Sequence, residues 1–513
     1  MKVLSLVTVV LLCLAEPLLQ RAQAATVVTV QETGPRSNRI NIVFLSEGYT
    51  AAELPNFATH VNDAVNFLFD REPWKQYRSY CNIYRIEVAS TQSGCDNGNT
   101  SGPGVLRNTY FGAGFTTPSV TQLLTLDSTG YSRAYDLLNQ LVPEYELPVV
   151  LVNDTKYGGS GGSISVASRN GDGIAVVEHE IGHSFANLAD EYDTEYLIYT
   201  PEEMPNTTAQ TVRALIRWNY WIDASTPVPT PETASYDALA GLFEGSMYRT
   251  TGWYRPHNNS LMRSLNRPCG QVNGEQFVLQ FYNQVSPVDG FAPATSPRAV
   301  TTPQQPLSFQ VTPMVPSSGI ALQLTWRIDG AVQSGQTGPR LDLLSDSLGN
   351  GAHTVAVTVR DPTAFVRKDP DTRLSSTVTW PLTLSGQLPS TLAAWRATYG
   401  ADAAVNSSDG LTNLIKYSVG RDANTPTPPD QLPSVALADA NGQRYLTLTV
   451  PRRMRRTDVS YIIEVSADLQ VWYSGVGHTV LIEDTDTRLV VRDAQPSTGP
   501  QRRFIRLRVS ALP

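Results

Sequence analysis

The sequence predicts an α/β domain followed by all-β domains, and three observations support this fold class. Residues 25–287 mix β-rich runs with segments of helical periodicity. From about residue 288 the pattern changes to short alternating strands, punctuated by turn dipeptides such as Asp329-Gly330. The chain has 513 residues, a length typical of about three domains once an N-terminal targeting segment is removed.

The N-terminal residues 1–24 are predicted to be a signal peptide. Lys2 gives a positive start, Val3 to Leu19 is mostly apolar, and Ala22-Gln23-Ala24 matches a small-x-small cleavage site. Glu16 and the proline after it interrupt the apolar stretch, which argues against a membrane anchor. No other stretch is long and apolar enough to span a bilayer. The sequence therefore predicts a soluble, secreted protein, extracellular or periplasmic.

The composition excludes two classes of protein. Lys plus Arg is 39 and Asp plus Glu is 47, without charge blocks, so the basic surface that nucleic acid requires is not expected. Cys81, Cys95 and Cys269 remain after cleavage, so at most one disulfide can form. A disulfide scaffold is therefore excluded, and the fold must depend on hydrophobic cores, which this length permits.

The first domain, residues 25–287, contains three predicted strands and a capped helix. Arg39 to Leu45 carries apolar residues on both faces, which predicts a strand buried on both sides. Asn82 to Val88 and Leu147 to Val152 are predicted as further strands. Thr50-Ala51-Ala52-Glu53 resembles a capping box that opens a helix.

Two segments come before the most informative motif of the chain. Tyr157 to Gly162 is so rich in glycine that we expect a loop that does not pack, and it lacks the Lys-Ser/Thr ending of a phosphate-binding loop. Ser163 to Ser168 alternates apolar residues with serines and predicts a strand. This strand is either an ordinary core strand or an edge strand that holds an extended peptide by main-chain hydrogen bonds.

The remainder of the chain is predicted to be largely β. Residues 288–386 resemble an immunoglobulin-like or PKD-like sandwich, because apolar residues alternate from Leu322 to Ile328 and from Val355 to Val359. Residues 387–430 are predicted as short helices and a Pro-rich linker. Residues 431–513 are predicted as a C-terminal β-rich domain.

The linker segment also carries acidic and amide side chains. Asp402, Asn406 and Asp409 lie between the two short predicted helices. Their spacing matches only part of a calcium-binding loop. We therefore favour solvation as the role of these side chains.

Residues 179–183 read His-Glu-Ile-Gly-His and carry the predicted chemistry. On a helix, residues four apart share a face, so His179 and His183 can bind one metal ion. Glu180 between them is placed to take a proton from an attacking water. This arrangement is typical of zinc peptidases. Five residues alone give weak support, but only six histidines occur in the whole chain, which strengthens the interpretation.

A catalytic zinc usually has three protein ligands. On an unbroken helix, Asp190 would lie about 10 Å beyond His183, at ~1.5 Å per residue, too far to share an ion. The helix is therefore expected to end at Asn187, because asparagine tolerates the left-handed conformation. Asp190 is the predicted third ligand, with Glu191 or His257 as the alternatives. The competing interpretation is that Asp190 and Glu191 only solvate a helix end.

Several short sequence blocks between residues 40 and 265 resemble a known protein family, in addition to the His-Glu-Ile-Gly-His motif. They are Ser46-Glu47-Gly48-Tyr49-Thr50, Arg71-Glu72-Pro73-Trp74, residues 152–159, 179–192 and 241–245, and Tyr254-Arg255-Pro256. Together they resemble the IgA-peptidase family of secreted bacterial zinc metallopeptidases. The resemblance implies a metzincin-like catalytic fold, one zinc ion and hydrolysis of peptide bonds.

The same resemblance assigns roles to residues outside the motif. It implies that Ser260-Leu261-Met262 forms the methionine turn that underlies the metal site. Tyr254 and Arg255 become candidates to steady the substrate carbonyl or the developing oxyanion.

The predicted function is that of a secreted zinc-dependent endopeptidase acting on a protein or peptide. Zinc is held by His179, His183 and Asp190, and Glu180 is the general base. Two alternatives stay open at this point. One is a non-catalytic adhesin or binding protein with a vestigial metal site, and the other is a zinc-dependent amidase or glycan-processing hydrolase. The family name does not set the substrate.

Overall fold

The computed structural model describes residues 25–98, 104–117, 120–196, 200–317, 320–497 and 502–513. The predicted signal peptide, residues 1–24, lies outside the described residues. The chain divides into two compact units. The first unit comprises the described residues up to Asp289 together with 313–323 and 359–376, and the second comprises 290–312, 324–358 and 377–513.

The first unit combines α-helices with a mixed sheet. Its helices are α1 (Leu54–Phe69), α2 (Ser128–Leu141), α3 (Gly173–Ser184) and α4 (Gln271–Gln284). Its strands are β1 (Thr26–Gln31), β2 (Ile40–Glu47), β3 (Cys81–Glu87), β4 (Asp96–Asn97), β5 (Gly114–Phe115), β6 (Leu147–Val152), β7 (Gly159–Ser160), β8 (Ser165–Ser168), β9 (Phe243–Ser246) and β10 (Arg249–Arg255). The main sheet has the order β1-β3-β2-β6-β8-β7. Its four inner strands are parallel, whereas β1 and β7 pair antiparallel at the two ends.

Strand β2 divides the interior of this unit into two cores. All eight of its residues are buried, which confirms the prediction that this strand has no solvent face. Ile42 and Phe44 pack in one core with residues of α1, α3 and α4. Val43 and Leu45 pack in the other core with residues of α2. Because successive side chains point to opposite faces of a sheet, α3 lies on the same face as α1 and α4.

The other local predictions for this unit are also met in the structure. The predicted strands at 82–88 and 147–152 correspond to β3 and β6. The main-chain N–H and the hydroxyl of Thr50 both bond to Glu53 Oε2, at 2.9 and 2.8 Å, and a capping box is formed there. Cys81, Cys95 and Cys269 are buried and unpaired among the described residues.

The glycine-rich segment before α3 differs from expectation. It does pack: Gly159 and Ser160 form β7, which pairs with β8. A Cβ at Gly159 would lie 2.7 Å from Val176 Cγ1, and one at Gly158 would overlap the ring of Phe115. Absence of side chains therefore allows this segment to approach the sheet and α3 closely. The possibility that residues 163–168 form an edge strand is wrong, because β8 is paired on both sides.

The second unit consists of β-sheets and two short helices. Its elements are β11 (Val288–Ala292), β12 (Arg298–Val300), β13 (Pro306–Pro313), β14 (Gln323–Ile328), β15 (Ala331–Val332), β16 (Arg340–Leu344), β17 (Gly351–Arg360), β18 (Ser375–Leu384), α5 (Leu392–Tyr399), α6 (Asn413–Ser418), β19 (Ser434–Ala440), β20 (Gln443–Pro451), β21 (Val459–Ser466), β22 (Tyr473–Ser474), β23 (Thr479–Asp484), β24 (Arg488–Pro496) and β25 (Phe504–Ala511). Five of its strands (β11, β13, β14, β17 and β18) extend by one or two residues into segments assigned to the first unit. Its sheets have the orders β11-β13-β16, β12-β18-β17-β14-β15, β19-β20-β24-β23 and β22-β21-β25.

Aromatic contacts join the first two of these sheets. The ring centroid of Trp380 lies 5.2 Å from that of Phe309 and 5.9 Å from that of Trp326. The three residues come from β18, β13 and β14, so both sheets contribute to one core. A mixed α/β region followed by a β-rich region confirms the predicted fold class at this level.

The acidic residues between α5 and α6 are ion-paired. Asp409 lies 2.6 Å from the ammonium of Lys416, and the two side chains are 6% and 0% exposed. Asp402 pairs with Arg396 at 2.7 Å. Solvation is therefore the wrong role for Asp409, whose carboxylate compensates a buried charge.

Candidate metal centre

Helix α3 carries the two histidines and the glutamate of the motif. Its apolar residues, including Val177 and Ile181, are buried in the core between α3 and the sheet. The helix is thereby held rigidly, with the Nε2 atoms of His179 and His183 only 3.1 Å apart. His179 is buried and His183 half-buried, so the pair lies at the border between interior and solvent.

The chain reverses after α3 and returns to the histidines. The helix ends at Ser184, and Asn187 adopts a φ of 53°, as predicted for the residue that ends the turn. The N–H of Leu188 then donates to the carbonyl of Gly182 over 3.0 Å. This turn brings Asp190 Oδ1 to 3.1 Å from His179 Nε2 and 3.3 Å from His183 Nε2. The three ligand atoms all lie within 4.8 Å of one another.

The two alternative ligands are engaged elsewhere. The Glu191 carboxylate is fully buried and accepts hydrogen bonds from Asn206, Ser260 and Asn273. The Nε2 atom of His257 contacts Gln271 at 2.9 Å. Among the described residues, neither belongs to the group that could hold a metal ion. The geometry therefore favours Asp190 over both.

The chemistry of the three side chains fits a divalent cation. The Nδ1 atom of His179 lies 3.0 Å from the carbonyl of Leu261, and that of His183 lies 2.7 Å from the carbonyl of Leu188. When each Nδ1–H donates to its carbonyl, each Nε2 directs a lone pair toward Asp190 and toward the other imidazole. Two imidazole lone pairs and a carboxylate at this distance form a donor set suited to zinc.

Burial and mutual contacts shift the pKa values of these groups. Burial lowers the pKa of His183, but the hydrogen bond to Asp190 and its charge raise it more, to about 9. Burial alone would raise the pKa of Asp190. In the metal-free state with protonated Nε2 atoms, hydrogen bonds from His179 and His183 instead hold it well below its usual value. Burial raises the pKa of Glu180, and the two histidines offset only part of that increase. Asp190 is thus the anionic member of the group, and Glu180 is the stronger proton acceptor.

The segment Ser260-Leu261-Met262 lies directly against α3. The carbonyl of Leu261 faces His179, as described above, and the carbonyl of Met262 accepts a hydrogen bond from the N–H of Glu191 at 2.9 Å. A Cβ at Gly182 would lie only 2.6 Å from Met262 Sδ. The side chain of Met262 therefore packs against α3 at Gly182, which lies between the two histidines in the sequence.

The proposed oxyanion role of Arg255 is wrong. Its guanidinium is fully buried and donates to the carbonyls of Glu244 and Gly245 and to the carboxylate of Glu232. The nearest described partner of the Tyr254 hydroxyl is Glu244, at 3.5 Å. Both residues contact β9 (Phe243–Ser246), and the hydrogen bonds described for their side chains do not include the histidines.

Two other tyrosines occupy the site instead. The hydroxyl of Tyr248 donates to Asp190 Oδ2 over 2.8 Å. The ring of Tyr192 stacks on His179 with centroids 5.9 Å apart, and its hydroxyl lies 3.5 Å from His179 Nε2. Tyr192 follows Asp190 closely in the chain, so the motif itself could have indicated it. Tyr248 has no such local signal.

The glycine-rich segment reaches the motif as well. A Cβ at Gly161 would overlap Oε2 of Glu180. The carboxylate of Glu180 is therefore covered on one side by the main chain at Gly161, and a side chain at this position would require the carboxylate or the segment to move.

Comparison with known protein families identifies a match within the first unit. The model of the IgA peptidase M64 family matches residues 28–236, a range that includes α3, Asn187 and Asp190. No curated protein matches the chain. The family resemblance is thereby confirmed over residues 28–236, which match the IgA peptidase M64 family and support a peptidase activity for the first unit.

Proposed function

We propose that the protein is an exported zinc-dependent endopeptidase that hydrolyses peptide bonds with Glu180 as general base. The observation that supports this most directly is the convergence of His179, His183 and Asp190 within 4.8 Å beside Glu180. The match to a peptidase family supports the same function. It favours this proposal over a non-catalytic adhesin and over an amidase or glycan-processing hydrolase.

Each residue of the site has a role in this proposal. His179, His183 and Asp190 would hold the zinc ion. When bound, the ion polarises the scissile carbonyl and lowers the pKa of a water molecule toward ~7. Glu180 accepts a proton from the attacking water and donates it to the leaving amine.

Neighbouring groups orient the three ligands. The carbonyls of Leu261 and Leu188 fix the rotation of the two imidazoles through Nδ1. The hydroxyl of Tyr248 donates a hydrogen bond to Oδ2 of Asp190, so that Oδ1 of the same carboxylate faces the histidines. Such partners hold a metal site in its binding geometry before the ion arrives.

The finer assignments of fold and location are part of this proposal. The turn at Asn187 and the support of α3 by Met262 favour a metzincin-like catalytic fold. The paired sheets of the second unit favour an immunoglobulin-like sandwich and a further C-terminal β-rich module. The features of residues 1–24 favour export. Among the described residues, none of the helices combines the length and apolar character needed to traverse a membrane.

The test uses the full-length protein purified without chelator. Metal analysis is expected to find about one zinc per chain, and a chelator should remove both zinc and cleavage of a peptide library. Glu180→Gln should abolish cleavage and retain zinc, whereas Glu32→Gln, at an exposed position, should change neither. Cleavage by the Glu180→Gln variant would refute the assigned role. Zinc binding without cleavage of any peptide would favour one of the two rival functions.

A further inference from the structure

A pocket of about 460 Å³ opens in the first unit beside α3. Buried Leu147, Ser165 and Ile181 lie among its lining residues, and exposed Gly162 and Ser184 lie at its opening. This volume falls within the range of ~300–1,000 Å³ that is common for ligand pockets. The interior is therefore large enough for one long side chain.

The opening of the pocket adjoins the proposed general base. The Ser184 hydroxyl donates to the main-chain carbonyl of Glu180 over 3.0 Å, one helical turn away. On the other side, Gly162 follows Gly161, whose Cβ would overlap the Glu180 carboxylate. A peptide positioned for attack near Glu180 would therefore place a neighbouring side chain at this opening.

The pocket contains one charged residue. Glu146 lines it together with neutral residues, among them Ser163, Gln280 and Gln284. Its Oε2 atom accepts hydrogen bonds from the main-chain N–H of Asn41 at 2.6 Å and from Asn41 Nδ2 at 3.1 Å. These bonds fix the carboxylate and leave Oε1 without a hydrogen bond from the described part of the chain.

A half-buried carboxylate with a free oxygen favours a cationic partner. Burial raises the pKa of Glu146 to about 7, and the hydrogen bonds from Asn41 offset only part of that increase. The ionised form has lost hydration that a cation can replace. A guanidinium or ammonium group would do so with charge-assisted hydrogen bonds, while Leu147 and Ile181 cover its aliphatic stem.

We propose that this pocket receives an arginine or lysine side chain of the substrate next to the scissile bond, with Glu146 as the residue that selects it. The inference rests on the proposed peptidase function. It adds a substrate class, peptides with a basic residue at one defined position.

The test compares matched peptides with the zinc-loaded, full-length protein. Arginine and its neutral isostere citrulline are placed in turn at the three positions on each side of the scissile bond, and kcat/KM is measured. At one position the arginine peptide should be favoured about tenfold. Glu146→Gln retains an acceptor for Asn41 and should remove this preference, so that the arginine and citrulline peptides are cleaved with equal kcat/KM. Glu144→Gln, two residues away at a carboxylate paired with Arg36, should retain the preference.

Other outcomes count against the inference or separate it from the proposed function. Cleavage without a basic preference, or a preference that Glu146→Gln leaves intact, would overturn it.

If Glu146→Gln does not fold, Gln284→Lys places a positive charge at the same pocket and should reduce the preference. If no peptide is cleaved, the Kd values of both peptides for the Glu180→Gln variant report on the pocket alone. Tighter binding of the arginine peptide would then support the pocket, and equal binding would refute it.

Discussion

Tyr248 donates a hydrogen bond of 2.8 Å to Asp190 across 58 positions of the chain, and so orients the carboxylate that faces both histidines. One oxygen of the Asp190 carboxylate accepts the hydrogen bond from the phenol, and the other faces the two histidines. Residues that orient ligands in this way usually affect metal affinity by ~10–100-fold. In the proposed metal site, Tyr248 would therefore be a positioning residue rather than a ligand.

Tyr248→Phe is expected to weaken zinc binding by about tenfold, because Asp190 loses the partner that fixes its rotation. Competition with a chromophoric chelator measures the affinity without reference to activity. Tyr473→Phe, at an exposed site in the second unit, serves as the control. Equal zinc affinity in wild type and Tyr248→Phe would show that the hydrogen bond does not position the ligand.

Gly161→Ala is expected to lower kcat by at least about tenfold while zinc content stays unchanged. A methyl group there would overlap Glu180 Oε2 and must displace either the segment or the carboxylate. Small displacements of a catalytic group are costly, up to ~100-fold for about 1 Å. Gly171→Ala is the matched control, because a Cβ there meets nothing within 4 Å. Unchanged kcat in Gly161→Ala would mean that the segment yields without moving Glu180.

The buried His257 should make the first unit less stable in acid. Burial lowers its pKa to about 4, against a usual value of about 6.5. Between these values the unfolded chain binds a proton that the folded protein does not. The contribution of neutral His257 to the free energy of unfolding is therefore complete above about pH 6.5. It decreases by about 2–3 kcal/mol as the pH falls toward 4. Urea unfolding at pH 7.5 and pH 4.5 measures the difference.

The His257→Gln variant separates this effect from the titration of carboxylates. Its overall stability will differ, but its loss of stability between the two pH values should be smaller than that of wild type by about 2–3 kcal/mol. The same pH dependence in both proteins would show that His257 is not the group responsible.

The buried pair Asp409–Lys416 should be important for the stability of the second unit. Asp409→Ala leaves the fully buried ammonium of Lys416 without its carboxylate partner, with only the carbonyl of Thr425 as acceptor, and is expected to cost about 3–5 kcal/mol. Asp342→Ala removes an equivalent carboxylate from the exposed pair with Arg340 and should cost less than about 1 kcal/mol. Denaturant unfolding measures both. Similar losses would mean that Lys416 reaches solvent when its partner is removed.

The parts of the site that depend on short chain separations could be predicted from the sequence. His179 and His183 follow from helical spacing, and Asn187 follows from the need to end the helix before Asp190. Strand β2 was also predictable, because burial on both faces leaves a run of apolar residues.

Other features depend on contacts between distant segments and have no local pattern. Nothing in the spacing of Tyr248 indicates that its hydroxyl reaches Asp190. The arginine at 255 looks available for catalysis in sequence, yet the fold commits it to main-chain carbonyls. The glycines in residues 157–162 suggested a loose loop. In the structure they allow the segment to pack closely against its neighbours, and composition alone does not distinguish these two uses of glycine.

The contact between Gly182 and Met262 couples two positions that are 80 residues apart. Since a Cβ at 182 would come within 2.6 Å of the sulfur, alanine there requires a smaller or displaced side chain at 262. A change at either position alone would tilt α3 or leave a void beneath it. A substitution at Gly182 therefore requires Met262 to move or to be replaced, so the packing beneath α3 favours glycine at this position of the His-Glu-Ile-Gly-His motif.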